Sequence, residues 1–217
     1  RGGSAITKTY NGDEQALMDA VYAPPAKTSS GGNSTENVNE NRTAGELVTE
    51  SIYVIDDSSL VPNGSNDITY PSSTLLVNPW EGTSSLSLED GVVTVTTGTG
   101  SWWGAALEIE ASSGENLSGF ANGTLVFDIK GDTQSNFNIG FQSGIWSNNT
   151  RPQVNNYVVF GPSRTRSISS SWATFEIPVS ELNKGADLTD VTSLLYFMGS
   201  SNFDGKTIEV RNISYRK

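Results

Sequence analysis

The 217-residue chain has no cysteine and no histidine. Without cysteine there is no disulfide and no thiolate nucleophile. Without histidine the commonest general base and the commonest transition-metal ligand are both gone. A Ser-His-Asp triad is excluded, and a zinc site loses its usual donors. Cations are few: 13 Lys and Arg stand against 24 Asp and Glu, for a net charge of −11. Nucleic acid needs a basic patch for its phosphates, so it is not an expected partner. Acidic polysaccharides such as alginate are disfavoured too, unless arginines cluster locally. No apolar run approaches the ~20 residues of a spanning helix, so direct membrane insertion is not expected. The start, RGGS, has no apolar leader, so the chain reads as mature or as part of a longer protein.

Ser, Thr, Asn and Gly dominate what is present, a composition that suits an extracellular bacterial β protein. The first fifty residues stand apart. Residues 5–10 could form a short strand, and residues 13–22 (DEQALMDAVY) have helical composition ahead of Pro24 and Pro25. Residues 27–41 are rich in Ser, Gly, Asn and Glu and read as a linker. A boundary near Glu50 therefore separates an extension, 1–50, from a β domain, 51–217.

From Ser51 onward the pattern is short strands with turn chemistry between them. Residues 84–88 and 92–96 flank the hairpin turn Glu89-Asp90-Gly91. Leu125, Phe127 and Ile129 alternate onto one face. Further strands are expected at 52–55, 75–77, 105–109, 136–142, 157–160, 173–177, 193–198 and 207–215, with helical turns at 180–182 and 187–191. The fold class is all-β: an antiparallel sandwich with an irregular or helical N-terminal extension.

Three segments carry a family likeness. Residues 120–130 read FANGTLVFDIK, residues 172–180 read WATFEIPVS, and residues 208–215 read IEVRNISY. In this order they resemble the galactose-binding-like jelly-roll carbohydrate-binding modules, notably those of marine bacterial β-glucan-binding proteins and the C-terminal modules of exo-β-glucosidases. Residues 2–9, GGSAITKT, resemble the last strand of a PKD-type domain. The resemblance implies that the antiparallel sandwich is of the jelly-roll type. It implies non-catalytic binding of an extracellular polysaccharide, a neutral β-glucan such as laminarin, by a monomeric module of a surface glycan-binding protein. Two other readings stand beside it: an accessory module of a secreted glycoside hydrolase, and a structural or adhesion domain with no sugar site.

Sugar rings present flat C–H faces edged by hydroxyls. A site for them needs exposed indoles as platforms and planar polar groups to read the hydroxyls. Trp80 lies in the turn-rich NPWEG segment. Trp102 and Trp103 are adjacent, so a strand sends them to opposite faces. Trp103 is assigned to the exposed side. Trp146 sits in a polar loop with Gln142, Asn149, Arg151 and Gln153. Trp172 reads as core or edge packing. The resemblance also implies a structural Ca²⁺ between the first and last strands, with Asp56 and Asp57 as oxygen ligands. The last strand departs from the family pattern there, placing Arg211 beside the expected site.

Glu108 and Glu110 share a strand face at a spacing a glycosidase could use. The laminarinase E-x-D-x-x-E pattern is absent, however, and alternating Glu on a solvent face is far commoner than an active site. No enzyme is expected.

Overall fold

A computed structural model describes residues 45, 47–49, 51–55, 60–62, 75–109, 113–199 and 204–217. All belong to the compact unit Asn37–Lys217. The expected short N-terminal strand, the helix at 13–22 and the PKD-like residues 2–9 lie outside the described residues, as do Asp56 and Asp57.

Twelve strands form among the described residues: β1 (Ile52–Ile55), β2 (Leu60–Pro62), β3 (Leu75–Pro79), β4 (Ser84–Glu89), β5 (Val92–Thr97), β6 (Trp103–Ile109), β7 (Thr124–Gly131), β8 (Phe137–Ser143), β9 (Val154–Phe160), β10 (Ala173–Pro178), β11 (Val191–Gly199) and β12 (Thr207–Arg216). One sheet has the order β10-β7-β12-β5-β4, with β1 also paired to β12; the other has the order β2-β3-β6-β11-β8-β9. Pairing is antiparallel except between β2 and β3. This is the antiparallel sandwich that the periodicity implied, of the jelly-roll class that the resemblance implied. One of the two expected helical turns forms, as the four-residue α1 (Val179–Leu182). Residues 188–190 form a bend and turn that lead into β11.

The core lies between the sheets. From the second sheet, β6 contributes Trp103, Ala105, Leu107 and Ile109; from the first, β7 contributes Leu125, Phe127 and Ile129. Phe137, Phe160 and Phe175 join them, with ring centroids 4.9–5.7 Å apart along the chain of contacts. The sandwich also takes in residues ahead of the expected boundary: Val48 is fully buried, and its N–H donates to the Asn116 carbonyl at 3.1 Å.

Two irregularities change which residues face out. In β12 the alternation Ile208, Val210 gives way to Ile213, Tyr215, through a register shift between Arg211 and Ser214. Asn212 takes the left-handed backbone conformation there (φ 53°), which Asn tolerates better than most residues. In β11 a shift between Ser193 and Leu195 makes Leu194 the extra residue. Leu194 joins the core, while Ser193 and Tyr196, three positions apart, come to the same outer face. The buried Tyr215 hydroxyl crosses from the other sheet and donates to the Leu194 carbonyl at 2.7 Å, tying the bulge down. Burial pushes that hydroxyl's pKa far up, so it stays a donor.

Candidate functional site

The outer face of the second sheet carries the site, and strand register sets its rows. Gly104 pairs with Met198, and Met198 with Asn138. Ala106 pairs with Asn78 on one side and Tyr196 on the other. Glu108 pairs with Ser193, Ser193 with Gln142, and Gln142 with Asn155. The outward row of β6 is therefore Gly104, Ala106 and Glu108: two small residues, then a carboxylate.

That sequence of sizes makes a bed for an indole. After β3 the chain folds back through a tight 3-10 turn, Trp80–Gly82. The Thr83 N–H and hydroxyl both donate to the Trp80 carbonyl, at 2.9 and 2.8 Å. The same hydroxyl accepts the Gly104 N–H at 3.0 Å, fastening the turn to β6. The Trp80 ring lies against Gly104 so closely that a Cβ there would sit 2.0 Å from a ring carbon. Its Nε1–H donates to Glu108 at 2.7 Å, so the indole lies lengthwise over β6. It also stacks on Tyr196, with centroids 5.8 Å apart and planes 23° off parallel. The other Glu108 oxygen accepts the Asn78 amide at 2.8 Å. Glu108 thus orients two groove residues at once.

Beside this lies a polar row. The Ser193 hydroxyl donates to the Gln142 amide oxygen at 2.6 Å, and the Gln142 amide nitrogen donates to Asn155 at 2.8 Å. At the far end, the loop between β8 and β9 carries Trp146, whose side chain is 79% exposed. Trp80, Trp102, Trp146, Gln142, Gln153 and Asn155 line one recess of about 490 Å³. A second recess of about 520 Å³ shares Glu108, Gln142, Trp146 and Gln153 with it and continues the groove past Trp146. Among the described residues lining the two recesses there is no Lys or Arg.

Five of the eight expected ligand-binding side chains therefore meet in one groove: Trp80, Trp102, Trp146, Gln142 and Gln153. Three do not. Trp103 is a correction: it is 0% exposed and packs in the core near Phe137, whereas Trp102 is 36% exposed at the groove. The reason is register. Trp103 shares a β6 face with Leu107, which opposes the core residue Leu195 across the β6–β11 ladder. Arg151 is a second correction: its guanidinium is engaged with Asp190 and lies outside the groove lining. Asn149 is exposed on the loop but also lies outside the lining. Asn78, Glu108 and Asn155 were not among the expected ligand-binding residues. Their signal was the outward alternation along β3, β6 and β9, legible only once those strands are known to be neighbours. Tyr196, buried beneath Trp80, had no such signal, because the bulge in β11 breaks its alternation.

Trp172, expected to pack in the core or at an edge, packs on the outer face of the first sheet. Arg211 and Lys130 lie over its ring, 4.1 and 4.8 Å from the centroid. Arg211 also lies 3.5 Å from Asp128, and the Asn212 amide donates to that carboxylate at 2.6 Å. Among the described residues no group of three or more acidic side chains converges where a metal ion could be held. Both oxygens of Glu108 are engaged, by Asn78 and Trp80, and Glu110 lies outside the described residues.

Residues 48–217 match the family model described as "Carbohydrate binding domain 30". Among solved structures, the chain is similar to a family 30 carbohydrate-binding module of a cellulosomal cellulase of Clostridium thermocellum. The two share 24% identity over 65% of this chain and 86% of that one, with a TM-score of 0.51. A second crystal structure of a family 30 carbohydrate-binding module matches at 23% identity over 65% of this chain and 87% of that one, also with a TM-score of 0.51. None of the curated proteins compared matches the chain. At these identities the structural likenesses show a shared fold.

Proposed function

From the premise that this chain belongs to the carbohydrate binding domain 30 family, and is thus a non-catalytic carbohydrate-binding module, we propose that it holds an extracellular neutral β-glucan along the groove of the second sheet. The carrying observation is the convergence of three indoles, Trp80, Trp102 and Trp146, with the amides of Gln142, Gln153 and Asn155 on one open groove. The indoles offer flat apolar faces to sugar C–H groups, and the Gln153 and Asn155 amides offer donors and acceptors to hydroxyls, with Asn155 held by the nearly buried Gln142. The absence of Lys and Arg among the described lining residues favours a neutral glycan over an acidic one. Trp80 has its N–H spent on Glu108, so its role is that of a face and not a donor. A β-glucan is also the substrate class of a cellulase, and the similar module belongs to one. That origin supports a second reading of the same site: a module appended to a secreted glycoside hydrolase. Laminarin is one β-glucan to test among several.

The test is affinity electrophoresis in gels carrying laminarin, mixed-linkage glucan, hydroxyethylcellulose, xylan or alginate. Retention is expected in at least one β-glucan gel and absent in alginate. Trp80→Ala and Trp146→Ala should each weaken retention by about 30-fold, the scale of a lost hot spot worth ~2 kcal/mol. Unchanged glucan retention in both variants, with parental circular dichroism, would sink this reading. So would retention in alginate alone.

A further inference from the structure

Trp146 poses a physical problem. At 79% exposure its ring has little packing to hold it, yet a platform gains affinity from being in place before the ligand arrives. The holding must come from the loop backbone, residues 144–153. Within the loop, the Ile145 N–H donates to the Arg151 carbonyl at 2.7 Å and the Asn148 N–H to the Ile145 carbonyl at 3.2 Å. The Asn148 side-chain oxygen accepts the N–H groups of Thr150 and Arg151 at 2.9 and 3.0 Å. These bonds shape the loop but move with it. Two of its residues sit in the left-handed region, Gly144 at φ 71° and Ser147 at φ 58°. For a serine that conformation is unfavourable and needs support.

Support comes from Asp190, the residue just before β11. Its carbonyl accepts the Gly144 N–H at 3.0 Å, at one end of the loop. At the other end its carboxylate takes the Arg151 guanidinium as a fork: Nε donates to one oxygen at 2.8 Å and Nη2 to the other. The same carboxylate accepts the Gly114 N–H at 2.7 Å, which roots it in a third segment. The side chains of Arg151 and Asp190 are only 25% and 15% exposed, so water competes weakly for this pair. Both ends of the Trp146 loop are thus fastened to one residue at the rim of the sheet.

We propose that the Arg151–Asp190 fork is a latch that holds the Trp146 loop in its binding-ready shape, which makes Arg151 a positioning residue and not a ligand to the sugar. This rests on the groove reading above. With the latch broken, the loop would have to be ordered at the moment of binding, and that ordering cost would appear as lost affinity.

The test is a double-mutant cycle read by glucan affinity at a temperature well below melting. The probe is whichever soluble β-glucan retains the parent protein. Arg151→Met keeps the stem and removes the fork; Asp190→Asn keeps the shape and weakens the pair. Each should lower affinity about three- to tenfold in the parent background, the scale of one or two freed side chains. In a Trp146→Ala background neither should lower it further, because the latch acts through that indole. Arg151→Lys should recover only part of the loss seen in Arg151→Met, since it restores charge without the fork. Parental affinity in both single variants overturns the latch. A loss that adds in full to that of Trp146→Ala overturns it too, because the pair would then be acting on the whole fold. If Trp146→Ala alone leaves affinity unchanged while Trp80→Ala lowers it, the latch fails and the groove stands. If neither indole matters, both fail.

Discussion

Trp80 and Trp172 each lie on the outer face of a sheet, yet they sit in opposite settings. Trp80 rests on small and aromatic neighbours, Gly104 and Tyr196, and its N–H is absorbed by Glu108. It lines an open groove. Trp172 has Arg211 and Lys130 over its ring, and those cations are partnered in turn by Asp128 and Glu209. One face of the sandwich therefore leaves an indole available and the other closes it off. The difference does not lie in the tryptophans. It lies in the outward row of the neighbouring strands: Gly and Ala in β6, but Asp128 and Lys130 in β7 and Glu209 and Arg211 in β12. An indole becomes a platform where its neighbours are too small or too apolar to compete for its face.

The largest effect should come from the layer between the two faces. Trp103→Ala truncates a fully buried side chain and should cost about 3–5 kcal/mol of stability. Trp102→Ala, one residue away, should leave the melting temperature nearly unchanged. Equal losses from the two, measured by denaturant unfolding, would mean that the pair is not divided between core and groove.

Gly104→Ala tests the bed directly. The new Cβ must displace the Trp80 ring, so glucan affinity should fall about as far as in Trp80→Ala, roughly 30-fold. Parental affinity in Gly104→Ala would show that Trp80 need not lie flat to bind.

Trp172→Ala should do the reverse. Each cation–π contact is worth ~0.5–1 kcal/mol at such partly exposed sites, so stability should drop by about 1–2 kcal/mol. Glucan retention should not change. A loss of retention at matched stability would place a second sugar contact on the charged face and end the contrast.

The smallest effect is in acid, and it compares one carboxylate from each region. The Thr174 hydroxyl, with Asn212 and Arg211, holds the Asp128 carboxyl below its ordinary value despite the opposing effect of burial. For Asp190 burial is the largest single influence and pushes upward, but the Arg151 fork and the Gly114 N–H together outweigh it and the carboxyl is lowered. A lowered folded-state pKa means that the unfolded chain binds the proton first. Stability from both groups is then fully present above the ordinary carboxylate range, near 4, and is lost as pH falls through the lower folded values. Melting of the parent should stay level from pH 7 to about 5 and fall below about 4. Asp128→Asn and Asp190→Asn should each fall less steeply there. A variant with the parent's full acid slope would remove that carboxylate from the account.

The strand pattern was legible because alternation is local: each of the strands expected from residue 51 onward forms among the described residues. The polar loop around Trp146 was legible for a similar reason, since an indole among amides in a turn-rich stretch has no core to enter. The division of Trp102 and Trp103 was half legible. Alternation requires one in and one out, but says nothing of which. Glu108 was legible as an outward carboxylate, yet not as the clamp for Trp80, because its partners are 28 and 30 residues away.

By itself, the sequence determined the class of molecule. Period-two patterning called for a sandwich, the absence of His and Cys removed most catalytic chemistry, and five tryptophans among Asn, Gln and Ser supplied the means to bind sugar. Only the tertiary structure decided which tryptophans face the groove. That choice depends on register, and register in β6 is set by β11, about ninety residues downstream, with Trp103 opposite Gly199 and Leu107 opposite Leu195. It depends also on the bulge at Leu194, which brings Ser193 and Tyr196 to one face. A one-residue slip in either pairing would exchange core for groove along the whole strand. No local stretch of sequence holds that information, because the free energy that selects the register comes from the packing of both sheets together.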